Sequence, residues 1–247
     1  MILLFGSLEL DITFTLTLIL LATKLFLALF LGREVIGKWK RLGYFEFDFL
    51  FAFFILMSSL FVSRIFYMVF DFFLTQNEIA KFPQYIIFWK LGGVIGAIGL
   101  IFVLTIIDKT ILRFKLYGTP SIIIFGIFIF VLIYPVNTPE DFRFLHLLLI
   151  SSLSLTFLIP IVFIYVGIRA PEIRMVSFIL SLGIILYLVA LIFINEFFLS
   201  PFQSIFGSEF RIVIFLIFII FKLTGLVLIT YSATNLYIYN YFSENSV

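Results

Sequence analysis

The sequence contains no cysteine and only one histidine, His146. Disulfides, thiolate metal ligands and a thiol nucleophile are therefore excluded, and a zinc site that needs several His or Cys ligands cannot form. The HExxH, GxSxG, GxxxxGK[ST] and GxGxxG motifs are missing as well. We predict that the protein is not an enzyme and that it carries no metal and no cofactor.

Charged residues are also scarce. They make up 12% of the chain against 64% hydrophobic residues, whereas soluble domains have about 25% charged and about 45–50% apolar residues. The mean hydropathy is +1.27. No polar connection is long enough for a water-soluble domain, so we expect a single domain over residues 1–247 that lies in the lipid bilayer and binds no nucleic acid.

In place of charge the chain has apolar stretches close to the roughly 20 residues that cross a bilayer. They cover residues 12–31, 49–70, 85–107, 120–136, 144–168, 175–194 and 212–234. In lipid every backbone amide must be satisfied within its own segment, so these stretches are predicted to be helices. The predicted fold is all-α, a polytopic bundle of seven transmembrane helices. The apolar loop 196–209 is expected to lie in the membrane interface or to fold back over the bundle.

Basic residues are distributed unevenly between the connections. One set of connections holds Arg33, Lys38, Lys40, Arg41, Lys109, Arg113, Lys115, Arg169 and Arg174, and the other holds Lys81, Arg143 and Arg211. By the positive-inside rule the richer set is cytoplasmic. We therefore expect an integral, multi-pass protein of the cell membrane with its N-terminus outside and its C-terminus in the cytoplasm.

The third predicted helix has two faces suited to close packing. Gly92, Gly96 and Gly99 fall on one side at helical spacing, and Lys90, Gly93, Ala97, Thr105 and Asp108 line another. Small residues let neighbouring helices approach closely in membranes. We predict that this helix lies inside the bundle, between two neighbours.

Four basic residues fall within the predicted spans: Lys24, Arg64, Lys90 and Lys222. A cation at the centre of a bilayer costs roughly 2.5–3.5 kcal/mol on insertion scales and usually marks a function or has a specific partner. No acidic residue lies equally deep, because Asp48, Asp71, Asp108 and Glu196 are all close to helix ends. The imbalance of charge needs a compensating group.

Depth separates these four residues into two pairs. Lys90 and Arg64 lie near helix ends, so Lys90 is expected to reach the headgroups along its stem. Arg64 has Tyr67 and Asp71 on its face and is expected to form a pair through a neighbouring helix or water near the outer surface. Lys24 and Lys222 lie roughly 14–20 Å from their polar flanks at about 1.5 Å of rise per residue. In a closed ring the first and last helices are neighbours, so the two lysines could face each other.

Two interpretations of the intramembrane cations stay open. In the first, the interior is net positive and binds a small anionic molecule or a lipid headgroup, with Lys24, Lys222, Arg64, Lys90 and Thr17 as candidate ligand-binding residues. In the second, each lysine only donates hydrogen bonds to Ser, Thr or backbone carbonyls of adjacent helices, with water filling the gaps.

A lysine at the centre of the seventh helix is similar to the lysine that binds retinal in rhodopsins. That resemblance requires a carboxylate counter-ion in the third helix or one turn before the lysine. Here the third helix has no deep acid and position 218 is Phe. Retinal is therefore not expected as a cofactor.

A second resemblance rests on two short segments. These are Phe88, Trp89, Lys90, Leu91 and Gly92 in the third helix, and Tyr165, Gly167, Arg169 and Arg174 with Gly183 further on. They resemble the seven-helix membrane sensor region of bacterial and archaeal histidine kinases, and the chain as a whole resembles uncharacterised archaeal seven-helix membrane proteins. The resemblance implies a bundle with its N-terminus outside that senses something in or near the membrane.

Our leading expectation is a stand-alone sensor or receptor-like protein. No kinase domain follows the last predicted helix, so any signal is expected to pass to a separate cytoplasmic or membrane protein partner. Two alternatives remain: a transporter or channel for an anion or small molecule, and a structural subunit of a larger membrane complex.

Overall fold

The structure, a computed structural model, describes residues 8–193, 205 and 210–244. Its helices are α1 (Leu8–Leu42), α2 (Phe49–Met68), α3 (Phe82–Thr110), α4 (Thr119–Ile133), α5 (Pro139–Leu153), α6 (Leu158–Arg169), α7 (Arg174–Phe193) and α8 (Phe210–Glu244). A π-helix, Val69–Leu74, prolongs α2, and short 3-10 turns precede α3, α6 and α7. Apart from Ile205, the predicted interfacial loop 196–209 lies outside the described residues.

The all-α class is confirmed for this part of the chain. Six helical segments are long and apolar enough to cross a membrane: Leu8–Leu42, Phe49–Leu74, Phe82–Thr110, Pro139–Arg169, Pro171–Ile192 and Ile212–Leu236. The remaining apolar helix, α4, has 15 residues, about 22 Å at 1.5 Å per residue, against about 30 Å of hydrocarbon. The helices are those of a multi-pass membrane protein, whereas the number of crossings and their direction stay predictions.

Two helices continue well past their predicted ends. α1 runs to Leu42 and α8 to Glu244, whereas the apolar stretches stop at residues 31 and 234. An apolar stretch marks the part of a helix that lies in lipid. The helix itself can continue into the polar region until a residue ends it. For α1 that residue is Gly43, whose φ of +76° is the left-handed conformation that glycine adopts after helix ends.

The predicted fifth helix, residues 144–168, lies within one apolar segment long enough to cross a membrane, Pro139–Arg169, and this segment is interrupted. A 3-10 turn at Ser154–Phe157 separates α5 from α6. Pro160 has no N–H for the carbonyl of Thr156 and its ring crowds that carbonyl. Ser151 donates its hydroxyl to the carbonyl of Leu147, a bond that often bends helices. Together these effects explain the break.

The helices pack in an order that brings the first and the last together. α1 packs against α2 and α8, α2 also packs against α3 and α8, and α7 packs against α6 and α8. The predicted proximity of the first and last helices is confirmed. At one end of the bundle, Phe14 of α1 meets Phe72 after α2 and Phe82 of α3 meets Phe142 of α5. We call this the N-terminal end.

Both predicted faces of α3 are occupied by neighbouring helices. A β-carbon at Gly92, Gly96 or Gly99 would contact α2, at 2.6 Å from Leu56 Cα in the case of Gly99. On the other face Gly93 lies against Phe128 of α4, as part of the line that also holds Lys90, Thr105 and Asp108. The prediction that α3 lies between two neighbours is confirmed.

The turn between α1 and α2 is held by an ion-pair group at the opposite end of the bundle. Lys38 Nζ lies 2.6 Å from Asp48 Oδ2 and 2.5 Å from Glu46 Oε2. Burial disfavours the charged form of Lys38, but its hydrogen bonds to the two carboxylates outweigh burial and raise its pKa. Asp48 also accepts a hydrogen bond from the Phe51 amide and so caps α2.

The close approach of α2 and α3 at Gly99 predicts a measurable loss of stability on adding one methyl group. Gly99→Ala would place its β-carbon 2.6 Å from a backbone atom and should lower the free energy of unfolding by roughly 1–3 kcal/mol. Gly126→Ala is the matched control, because nothing lies within 4 Å of its added carbon. Thermal unfolding in detergent measures both; an equal effect of the two changes would contradict the described packing.

Candidate functional site

Four of the five candidate residues come together inside the bundle: three basic residues and Thr17, which accepts a hydrogen bond from Arg64. Lys24 of α1, Arg64 of α2 and Lys222 of α8 form what we call the basic cluster. The charges of Lys24 and Arg64 both act on Lys222, and that of Arg64 acts on Lys24. Lys24 is 3% and Lys222 6% exposed. Because neighbouring helices cover them, neither lysine reaches headgroups or solvent.

The buried face of α1 explains why Lys24 points inward. Thr17, Leu20, Lys24, Leu27 and Leu31 are all buried and recur every three or four residues, so they form one stripe of the helix. That stripe faces α2 and α8, the two helices against which α1 packs. Because Lys24 lies on the same face as these apolar residues, it is buried when they pack against α2 and α8.

Lys24 has one hydrogen-bond acceptor among the described residues. Its Nζ donates to the backbone carbonyl of Leu60 at 3.0 Å, one helical turn before Arg64 in α2. A carbonyl oxygen has a second lone pair, so it can accept from Lys24 while it serves its own helix. The contact satisfies part of the ammonium group and supplies no negative charge.

Arg64 lies between a hydroxyl and a carboxylate. Its Nη2 donates to Thr17 Oγ1 at 2.7 Å, and Thr17 is fully buried. Its Nη1 is 3.8 Å from Asp71 Oδ2, which is longer than a hydrogen bond. Its buried Nε has no partner in the described part of the chain. Arg64 therefore bonds to the neighbouring helix α1 through Thr17, and Asp71, which lies on its own face, forms a loose ion pair with it.

Lys222 is held by aromatic rings. Its Nζ lies 4.5 Å from the centroid of the Phe218 ring and 5.2 Å from that of Tyr187 in α7. Ring faces carry negative electrostatic potential and attract a cation within about 6 Å. The structure shows no hydrogen bond from Lys222 to any described residue. Phe218 thus supplies a ring face at the position, one turn before the lysine, where the rhodopsin comparison requires a carboxylate.

The basic cluster is therefore rich in donors and poor in acceptors. Lysine and arginine side chains only donate hydrogen bonds, and the described acceptors are the Leu60 carbonyl and the Thr17 hydroxyl. The ion pairs of the described residues bring one carboxylate, that of Asp71, to the cluster. Buried cations without matched partners are costly. The arrangement suits a bound anion, whose oxygens would accept from several of these groups.

Lys90 lies apart from the basic cluster and has a different role. Its Nζ donates to the carbonyls of Leu132 at 3.2 Å and Tyr134 at 2.5 Å, which belong to the C-terminal turn of α4. A cation at this position satisfies orphan carbonyls and complements the helix dipole. Lys90 is 5% exposed, so its predicted reach to the headgroups was wrong: α4 supplies the acceptors instead.

The opposite end of α4 is held by an acid of the same helix α3. Asp108 accepts from the amides of Leu116 at 3.1 Å and Gly118 at 2.6 Å, immediately before α4 begins. A carboxylate near a helix N-terminus is favourable for the same dipole. Lys90 and Asp108, at the two ends of α3, thus fasten both ends of the short helix α4.

Sequence reasoning missed Tyr187 and the acceptor on Leu60. Tyr187 is one turn after Gly183, whose added β-carbon would lie 3.0 Å from the Gly225 carbonyl. The close crossing of α7 and α8 places the tyrosine ring next to Lys222. The spacing of Gly183 and Tyr187 is visible in the sequence, but which helix they face is not.

Comparison with known proteins yields no relative. No family model, no curated protein and no solved structure matches the chain. The resemblance to kinase sensor regions stays untested, and any functional conclusion depends on the geometry of the basic cluster.

We predict that Lys90 contributes stability and not ligand binding. Lys90→Met leaves two buried carbonyls without their donor and should cost roughly 1–3 kcal/mol of stability. Lys109→Met is the matched control, since Lys109 is on α3 but exposed. Thermal unfolding compares the two variants. Unchanged stability of Lys90→Met together with a lost response to anions would instead place Lys90 in the binding site.

Proposed function

We propose that the protein is a non-enzymatic, sensor- or receptor-like membrane protein whose basic cluster binds a small anion or the anionic headgroup of a lipid. The observation that supports this most strongly is the convergence of Lys24, Arg64 and Lys222 in the bundle interior. Their only described carboxylate neighbour, Asp71, is 3.8 Å from Arg64. Ligand sites of helix bundles usually lie between the helices.

The energetic argument starts from the unbound state. The charged forms of Lys24, Arg64 and Lys222 would repel one another and have lost much of their hydration, and the contacts described above compensate only in part. An anion bound among them would remove the repulsion and accept their free N–H groups. A ligand that binds only the folded protein stabilises it by about 2.7 kcal/mol at about 100 times its Kd. Anion binding should therefore be visible as a gain in stability.

The helices that contain the basic cluster suggest how a bound anion could produce a signal. Lys24, Arg64 and Lys222 belong to α1, α2 and α8, so an anion would draw together segments from both ends of the chain. α1 and α8 both continue to the end of the bundle opposite the N-terminal end, at Leu42 and Glu244, the side predicted to be cytoplasmic. A ligand shifts an equilibrium only as far as it binds one arrangement better. A protein partner at that end would detect the shift.

Two observations favour anion transport as the second candidate. The buried hydroxyls of Ser177, Thr230 and Ser232 have no partner among the described residues. They lie on α7 and α8 beyond the Gly183 and Gly225 crossing, on the side away from Lys222. The break between α5 and α6 adds an interrupted helix, a feature of transporters. Flux of radiolabelled phosphate into proteoliposomes, present in a transporter and absent in a receptor, distinguishes the two.

Lys222→Met separates an anion site from a merely structural lysine. Replacing a buried charge by an apolar side chain of similar volume is often neutral or stabilising, and Lys222 donates no described hydrogen bond that would be lost. We expect the variant to be at least as stable as wild type without ligand. It should lose the stabilisation that inorganic phosphate gives the wild type in a phosphate-free detergent.

Lys109→Met serves as the control for removing one exposed positive charge and should retain the phosphate response. Thermal unfolding with phosphate or with chloride at equal ionic strength provides the measurement. A phosphate response that survives Lys222→Met, or a wild type that responds neither to phosphate nor to an anionic lipid analogue, would refute the proposed site.

A further inference from the structure

Asp71 is the carboxylate closest to the basic cluster, and its position is unusual. It lies in the π-helix Val69–Leu74 that prolongs α2 at the N-terminal end. Its side chain is 27% exposed, against 13% for that of Arg64. Among the described residues, its carboxylate forms its ion pair with Arg64. The carboxylate thus lies between the surface of that end and the buried cations.

The guanidinium of Arg64 is only partly used. Nη2 is committed to Thr17 at 2.7 Å, Nε is buried without a described partner, and Nη1 faces Asp71 at 3.8 Å. Guanidinium groups bind carboxylate and phosphate oxygens through parallel hydrogen bonds at about 2.7–2.9 Å. Asp71 stands where such an oxyanion would bind, but about 1 Å too far away to bind in that way.

We propose that Asp71 is a built-in competitor of the ligand: an oxyanion that enters from the N-terminal end replaces the Asp71 carboxylate beside Arg64 and extends to Lys24 and Lys222. This inference rests on the proposed function and deepens it in two respects. It assigns the ligand to the oxyanions, whose carboxylate or phosphate oxygens Asp71 imitates. It also names Asp71 as the residue that limits the affinity.

The exposure of the side chains supports entry from this end. It falls from Asp71 to Arg64 and on to Lys24, which is 3% exposed as a residue. Phe218 and Tyr187 contact the ammonium group of Lys222, and Phe218 lies one turn closer to the N-terminal end than that lysine, so an oxyanion from this end would reach Arg64 and Lys24 before Lys222. An entering oxyanion meets Asp71 first, so the acid would repel it as well as compete with it for Arg64.

The test is Asp71→Asn, which keeps the size of the side chain and removes its charge. We expect the Kd for the oxyanion to fall roughly three- to tenfold, because the competing and repelling charge is gone. Glu78→Gln is the matched control: it removes an acid at the same end of the bundle, one that pairs with Lys81 at 3.0 Å, and should leave the Kd unchanged. If the Asn variant fails to fold, Asp71→Ser removes the same charge.

Two probes in phosphate-free detergent identify the source of the oxyanion. Inorganic phosphate represents a free ion, and dioctanoyl phosphatidic acid represents a lipid headgroup. Tighter binding of either probe to Asp71→Asn, with Glu78→Gln unchanged, supports the inference and shows which source the site accepts. Tightening by the same factor in Glu78→Gln would reveal a general charge effect and overturn it.

Failure of this inference is distinguishable from failure of the proposed function. If wild type binds a probe and Lys222→Met does not, but Asp71→Asn binds equally or more weakly, Asp71 is not a competitor and the site itself stands. If neither wild type nor Asp71→Asn binds either probe, the site and the competitor are both refuted. Binding by Asp71→Asn alone would refute the proposed function of the wild-type protein and support Asp71 as the group that excludes the oxyanion.

Discussion

A cation that is removed from water must find its acceptors and its opposite charge within the protein, because hydrocarbon offers neither. This protein meets that constraint in two ways. Lys90 obtains two backbone carbonyls at the end of α4, where orphan acceptors exist in every helix. The basic cluster obtains one carbonyl, one hydroxyl and two ring faces. The contacts of Lys90 are those of a structural residue. The contacts of the basic cluster leave some of its N–H groups without an acceptor among the described residues, which is why the cluster is the candidate site.

The packing of α3 shows how the same constraint shapes the scaffold. Glycines on one face let α2 approach to contact distance, and the charged ends of the other face hold α4 by its amides and carbonyls. A helix of 15 residues is short for a bilayer, and α3 compensates by satisfying both of its ends. Arg64 belongs to α2, which packs closely against α3. Lys24 of α1 and Lys222 of α8 lie next to Arg64.

The proposed sensing role depends on how the basic cluster is held. The side chains of the basic cluster belong to separate helices, and none of them makes a complete set of hydrogen bonds to the described residues. Asp71 lies 3.8 Å from Arg64, which is longer than a hydrogen bond. Binding energy would then be gained from contacts that exist only in the bound arrangement, which is the condition for a ligand to shift a conformational equilibrium.

The sequence alone determined the fold class, the positions of the apolar helices, the two packing faces of α3 and the burial problem of Lys24 and Lys222, because hydrophobic length and helical spacing are local properties. It did not determine the break at Ser154–Phe157, the far ends of α1 and α8, or the contrast between Lys90 and the other cations. Only the tertiary structure decided which helix supplies each acceptor. A side chain's partners across a bundle depend on the rotation and crossing of whole helices, and these are set by the sum of many contacts far apart in the chain.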